Sequence, residues 1–122
     1  MKRLITMAVP ILPGKTEQWR KFINELNGSR HDDYVASRKK LDVHERTFFQ
    51  QTLMGDLVIV TLEGEEPEKA FIDFGAGTDE FTKWFVQQVR EIHGFDLRNP
   101  PEGPMPELVV DSEVLVTAMH TA

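Results

Sequence analysis

The chain has 122 residues, of which 40% are hydrophobic and 28% charged, and this composition is that of one ordinary globular domain over residues 1–122 rather than a disordered or fibrous chain. Its 14 basic and 20 acidic residues give a net charge of −6 at pH 7, so we expect no nucleic-acid partner, which usually requires an excess of basic residues. Cysteine is absent, which excludes thiol nucleophiles and disulfides and fits a cytoplasmic protein, and no apolar run reaches the roughly 20 residues that span a membrane.

The first part of the chain is predicted to form one strand and two helical segments. Residues 3–9 read as a strand, and apolar residues at spacings of three and four then favour a helix that ends at Gly28. Ser29 and Asp32 have the spacing of a capping box, which predicts a second helix over residues 29–41.

A hairpin and a second broken helix follow. Residues 43–52 and 57–63 are predicted as strands joined by a tight connection. Pro67 is a good first-turn residue for a helix, which two glycines interrupt before another helix over residues 78–93.

A proline-rich arm and a last strand complete the predicted elements. Residues 94–106 contain four prolines, which favour a stiff, extended connection. Residues 107–118 are predicted as a strand that is too apolar to stand alone at an edge. We therefore expect the arm to hold this strand against a second copy of the chain rather than to act as a mobile lid.

The order strand, broken helix, strand, strand, broken helix, strand predicts an α+β, ferredoxin-like split βαβ repeat, with an antiparallel sheet and helices on one face. Residues 57–62 are apolar on both alternating faces, whereas a sheet covered on one side should alternate with polar residues. The sheet of a second copy, packed face to face, would cover the second side. The sequence therefore predicts a homodimer.

A resemblance to known proteins rests on seven segments, residues 10–15, 37–38, 55–60, 84–85, 88–89, 91–94 and 104–109. These segments resemble the dimeric α/β-barrel superfamily, which includes proteins of the antibiotic-biosynthesis-monooxygenase type, and most closely an uncharacterised family within it. The resemblance implies two ferredoxin-like protomers that form one dimeric α/β barrel. It implies no single activity, because the superfamily includes cofactor-free oxygenases of aromatic polyketides, haem-degrading monooxygenases, haem peroxidases and small isomerases.

The haem-degrading relatives place a tryptophan and a histidine about three turns apart on the second helical segment, and Trp84 and His93 resemble that pair. Those enzymes also use an asparagine on the first strand, and residues 4–9 contain none. We therefore expect no haem. Nucleotide cofactors are not expected either, because no glycine-rich phosphate motif is present, and the four histidines lack the spacing of a metal site.

Three residues are the predicted catalytic group. Tyr34 and Arg38 follow Arg30 at four-residue spacings, so the three share one helix face, which suits an anion site as well as a solvated surface. We expect Arg38 to hold an anionic oxygen, Tyr34 to donate a hydrogen bond and His93 to move a proton. His93 also ends a predicted helix, where a histidine beside Gly94 more often caps the last carbonyls of the helix than serves as a ligand or base.

Trp84, Arg30 and Phe49 are the predicted substrate-binding residues, with Trp84 stacking on an aromatic substrate. Phe49 shares one face of its strand with Glu45 and Thr47, a polar and aromatic surface that fits either a ligand pocket or a dimer interface. Two functions follow from this pattern. One is a cofactor-independent oxygenase or isomerase acting on a small aromatic or polar substrate, and the other is a non-catalytic dimeric module that binds a small ligand or is associated with stress.

Overall fold

A computed structural model describes residues 2–100 and 105–116 as an α+β structure with a three-stranded antiparallel sheet. The strands are β1 (Arg3–Pro10), β2 (Val43–Thr52) and β3 (Gly55–Gly64). The helices are α1 (Thr16–Leu26), α2 (His31–Lys40), α3 (Pro67–Asp73) and α4 (Glu80–His93). The predicted α+β class and antiparallel sheet are confirmed.

The strand β3 lies in the middle of the sheet, in the order β1-β3-β2. On one side Arg3 pairs with Gly64 and Pro10 with Leu57, and on the other side Val43 pairs with Gly64. Residues 57–64 of β3 therefore have a strand neighbour on both sides, whereas Gly55 and Asp56 pair with β2 alone. Among the described residues, no strand pairs with the second edge of β1.

The core lies between the sheet and the helices. Met7, Val58 and Leu62 point to this side of the sheet and are buried, at 8%, 3% and 0% exposure. Residues of opposite parity form the outer face of the sheet, where Leu4 and Phe48 remain 57% and 53% exposed. The outer face thus presents large apolar side chains to solvent.

Local signals explain the bounds of α4. Asp79 is its N-cap, and the carboxylate accepts a hydrogen bond of 3.0 Å from the amide of Thr82. Gly94 follows its last residue with a left-handed φ of 83°, and the Gly94 amide donates to the Arg90 carbonyl at 2.9 Å. A residue without a Cβ adopts this conformation without strain, so the helix ends there.

The predicted capping box at the start of α2 is wrong. Arg30, not Ser29, is the residue before the helix, and no side chain caps it. The chain continues to turn after α1, since the Arg30 amide donates to the Glu25 carbonyl at 2.8 Å. The helix therefore begins one residue beyond this turn, at His31, and the Ser29–Asp32 spacing falls across the boundary.

The predicted last strand over residues 107–118 is wrong for the portion that the structure describes. Residues 107–116 form no strand, and residues 117–118 lie outside the described residues. A strand needs a neighbour for its backbone groups, and within the described chain this segment has none. Its large apolar side chains are 60–84% exposed: Leu108, Val109, Val110, Val114 and Leu115.

Part of the predicted arm over residues 94–106 is fixed to the body of the protein, while residues 101–104 lie outside the described residues. Leu97 is 3% exposed, and a Cβ at Gly75 would lie 2.6 Å from the Leu97 carbonyl oxygen. Arg98 Nη1 donates to the carbonyls of Gly75 and Gly77 at 2.8 and 3.2 Å. The start of the arm is therefore held against the loop between α3 and α4.

Candidate functional site

A cavity of about 70 Å³ lies between the sheet and the helices. One water molecule needs roughly 10–15 Å³ of such space, so the cavity has room for several waters or a small organic group. Its aromatic lining residues are Trp19, Phe22, Phe71, Phe74, Phe85 and Phe95. Its polar lining residues are Glu45, Thr47 and His93, so the cavity combines an apolar wall with a few polar groups, as ligand sites do.

His93 contributes an imidazole whose tautomer is set by the fold. Its Nδ1 lies 2.8 Å from the carbonyl oxygen of Pro10. Because a carbonyl oxygen only accepts, Nδ1 carries the proton and Nε2 is the basic nitrogen. Burial lowers the pKa of His93 below its ordinary value of 6.5, so the ring is neutral at pH 7.

The hydrogen bond to Pro10 also excludes the capping role for this imidazole. The ring of His93 bonds to the end of β1 rather than to the last carbonyls of α4, and the backbone amide of Gly94 satisfies the carbonyl of Arg90 instead. His93 therefore links a strand to a helix at the cavity.

Arg38 and Glu45 form a buried ion pair, with Arg38 Nε 2.6 Å from Glu45 Oε1 and each side chain 7% exposed. Arg38 Nη1 donates to Ser37 Oγ at 2.9 Å, and Nη2 is buried without a hydrogen-bond partner among the described residues. The guanidinium carbon lies 3.9 Å from the ring centroid of Phe74 and 4.7 Å from that of Phe85. The Glu45 carboxylate thus occupies the place where an anionic substrate oxygen was expected.

Arg38 does not itself line the cavity, whereas Glu45 does. The side chain of Arg38 lies behind the two phenylalanines and holds the carboxylate at the cavity wall. Thr47 Oγ1 lies 3.4 Å from Glu45 Oε2, a distance at which its hydroxyl donates only weakly. Glu45 is therefore the member of the ion pair that faces the cavity. The sequence signal for this position is the alternation of side chains along β2, which places Glu45 on the inner face of the sheet.

Tyr34 lies beside this pair, with the Arg38 guanidinium 5.0 Å from its ring centroid. Burial and the negative charge of Glu45 raise the pKa of Tyr34 well above its ordinary value. The phenol therefore stays protonated at any pH at which the protein is handled. Tyr34 packs against the core and is absent from the cavity lining.

Arg30 and Trp84 form a layer outside the cavity. The Arg30 guanidinium carbon lies 4.1 Å from the centroid of Trp84, and its two terminal nitrogens donate to Glu80 at 2.9 and 3.2 Å. The Trp84 ring lies 5.2 Å from Phe22 and 5.8 Å from Phe81. Neither Arg30 nor Trp84 lines the cavity, and His93 is the one predicted site residue that does.

Phe49 is part of a second stack, in which its ring lies 4.8 Å from Trp19 and 4.7 Å from the Arg20 guanidinium carbon. Trp19 lines the cavity and Phe49 supports it from the far side. The tryptophan at the cavity is therefore Trp19. Its place in the apolar stripe of α1 pointed only to the core.

The three predicted catalytic residues do not meet at one point. His93 bonds to Pro10, which pairs with Leu57, whereas Glu45, the partner of Arg38, pairs with Leu62. Leu62 lies five positions after Leu57, which corresponds to roughly 17 Å along a strand at about 3.4 Å per residue. His93 and the Arg38–Glu45 pair thus lie toward opposite ends of the sheet.

No family model, curated protein or solved structure matches this chain.

Within residues 2–100 and 105–116, no group of three or more histidine, aspartate or glutamate side chains is placed to hold a metal ion. None of the helices in the same residues has the length and hydrophobicity needed to cross a membrane.

Proposed function

We propose that the protein is a cofactor-independent enzyme of the oxygenase or isomerase type, which binds a small aromatic molecule in the cavity and uses His93 as its base. One observation carries this proposal. The hydrogen bond from Nδ1–H to the Pro10 carbonyl leaves Nε2 as the basic nitrogen of His93, and burial favours the neutral ring in a cavity lined mainly by apolar and aromatic side chains.

Both reaction types begin with the same step. Nε2 accepts a proton from a phenolic hydroxyl or an acidic carbon, which leaves a resonance-stabilised anion and an imidazolium. An isomerase returns the proton to another atom of the same molecule. In an oxygenase the carbanion form of this anion adds to dioxygen and takes the proton back from the imidazolium, which gives a hydroperoxide. Loss of water from the hydroperoxide breaks the O–O bond and leaves one oxygen on the ring as a carbonyl, so that a phenol and dioxygen give a quinone and water. The aromatic walls orient the ring of the substrate and exclude water.

We propose that neither step uses haem. Residues 4–9 contain no asparagine, and a porphyrin is far larger than a cavity of about 70 Å³.

The test of catalysis compares two histidine variants. Oxygen consumption and product formation are measured with a panel of small phenols and hydroquinones, for wild type, His93→Gln and the matched control His31→Gln on α2. We expect turnover in wild type and control, and its loss in His93→Gln. An unchanged rate in His93→Gln refutes the role of this residue as the base. If no phenol or hydroquinone is turned over, the result argues against the proposal that the protein is an enzyme.

A non-catalytic binding module is the second candidate. It is favoured by the separation of the β3 residues beside the two groups, since Leu57 and Leu62 lie roughly 17 Å apart along the strand, whereas most active sites bring an acid and a base to one atom. Ligand binding without turnover under oxygen is the outcome that selects this candidate.

We also propose that two copies form a ferredoxin-like dimeric α/β barrel through the outer faces of their sheets. The order β1-β3-β2 is that of a ferredoxin-like sheet without its fourth strand, and Leu4 and Phe48 are exposed on the outer face. Light scattering of wild type and of Phe48→Glu is the test, with Lys39→Glu on α2 as the control. A monomeric wild type at micromolar concentration contradicts the dimer.

A further inference from the structure

We infer that the cavity selects uncharged aromatic ligands that donate a hydrogen bond, and that it rejects carboxylates and other anions. The inference rests on the proposed binding of a small molecule in the cavity, and it makes Glu45 the residue that determines specificity. A phenol, which carries one hydroxyl on one aromatic ring, is the simplest ligand of this class.

The titratable groups that line the cavity are both hydrogen-bond acceptors. Glu45 presents a carboxylate whose Oε1 accepts a hydrogen bond from Arg38 and whose Oε2 lies 3.4 Å from Thr47 Oγ1, and the Tyr34 hydroxyl interacts with the same carboxylate. His93 presents Nε2, because its Nδ1–H donates to Pro10. A ligand that donates a hydrogen bond therefore meets a partner at either group, and one that only accepts does not.

The positive charge that an anion needs is closed off. Arg38 lies outside the cavity lining, and its one nitrogen without a partner among the described residues is inaccessible to water. An anion that enters the apolar cavity loses its hydration and meets no cation there, only the neutral donors of Thr47 and Trp19, which is unfavourable. A cation gains little, because the charge of Glu45 is already balanced by Arg38.

The test uses three ligands of similar shape: 4-methylphenol, which donates a hydrogen bond; 4-fluorotoluene, which does not; and benzoate, which is an anion. The chain has two tryptophans, so the Trp84→Phe variant leaves Trp19 at the cavity wall as the only one, and its fluorescence reports binding. We expect 4-methylphenol to bind about tenfold or more tightly than either competitor.

Glu45→Gln in the same background is the second measurement, with Glu17→Gln on α1 as the matched control. An amide donates as well as accepts, so we expect the preference over benzoate to be lost in Glu45→Gln and kept in the control. If Glu45→Gln does not fold, the ranking of the three ligands on the Trp84→Phe protein still tests the inferred selectivity of the cavity. Benzoate bound as tightly as 4-methylphenol overturns the inference alone, whereas no binding by any of the three overturns the proposed function as well.

A different feature carries a second proposal: the segment of residues 105–116 adds to the free edge of β1 in a second copy of the chain as the fourth strand of its sheet. This proposal rests on the dimer proposed above. The edge of β1 has no strand beside it among the described residues, and the segment is long enough to pair with all eight residues of β1. Its apolar side chains are exposed in the single chain, at up to 84% for Leu115.

The position of the segment favours another copy over its own β1. The start of the arm is fixed at Leu97 and Arg98, and from there the single chain leaves the segment without a strand partner among the described residues. The segment carries Glu107, Asp111 and Glu113 and no basic residue, a charge that suits Lys2 beside β1 in either copy, while Arg3 is already paired with Glu68. Strand addition requires an exposed sheet edge and an exposed segment of matching length, and the edge of β1 and residues 105–116 provide them.

The absence of cysteine allows a clean cross-linking test. Ala8→Cys on β1 and Ser112→Cys in the segment are made in separate chains of different mass, mixed, and treated with a short bismaleimide. We expect a covalent heterodimer from this mixture and none from the control mixture of Lys39→Cys with Ser112→Cys. Two results overturn the addition of the segment to a second copy but not the dimer. One is a cross-link that forms only within a single chain carrying both Ala8→Cys and Ser112→Cys. The other is the absence of any cross-link in a protein that light scattering shows to be dimeric.

Discussion

Replacing Arg38 by methionine removes the cation of the buried pair while it keeps an unbranched apolar side chain between the rings of Phe74 and Phe85. The Glu45 carboxylate is then left 7% exposed without its ionic partner. Removing one member of a buried pair costs about 3–5 kcal/mol, which is a large part of the roughly 5–15 kcal/mol that stabilises a typical domain. We therefore expect Arg38→Met to lose about 3–5 kcal/mol of unfolding free energy at pH 7.

Urea unfolding followed by circular dichroism measures this loss, and two comparisons make it specific. The double variant Arg38→Met/Glu45→Leu has no unpaired charge, so it should recover most of the lost stability. Arg3→Met breaks the pair with Glu68, whose side chains are 53% and 46% exposed, and should cost at most about 1 kcal/mol. A loss below about 1 kcal/mol in Arg38→Met, equal to that of an exposed pair, refutes the reasoning.

Three further predictions concern α4 and its two ends. Because burial lowers the pKa of His93 below 6.5, the unfolded chain binds the proton first as the pH falls, so stability should begin to decline as the pH falls through the unfolded-state pKa. The decline should be smaller in His93→Gln, as urea unfolding at several pH values will report. Gly94→Ala places a Cβ at a φ of 83°, which should cost about 1 kcal/mol in thermal unfolding, and an unchanged melting temperature contradicts the strain. Asp79→Ala removes the N-cap bond to Thr82 and should cost about 1 kcal/mol, while Asp79→Asn keeps most of it; equal losses in both variants argue against the cap.

The elements that depend on local patterns were predictable from the sequence. Alternation placed β2 at Val43–Thr52, the bounds that the structure has, and Pro67 began α3 as expected. The segment of residues 107–116 was not predictable, because its apolar pattern is that of a strand and only the presence of a neighbouring strand decides whether one forms.

The candidate site was predictable only as a set of residue types. Trp19 and Trp84 both lie in apolar helix faces, and no local signal tells that Arg30 covers Trp84 while Trp19 faces the sheet. Likewise the sequence contains Arg38 and Glu45 without indicating that they neutralise each other. Such pairings depend on the angle at which a helix crosses a strand, which is a property of the whole core.

The contact between Gly75 and Leu97 couples the size of the cavity to a residue outside it. Leu97 lines the cavity, and its carbonyl oxygen lies 2.6 Å from the place of a Cβ at Gly75, closer than two such atoms approach. Any side chain at position 75 must therefore displace the backbone of Leu97 and so reshape the wall from behind. The volume and shape of the cavity are in this way adjustable from the loop between α3 and α4, without substitution of any residue that lines the cavity.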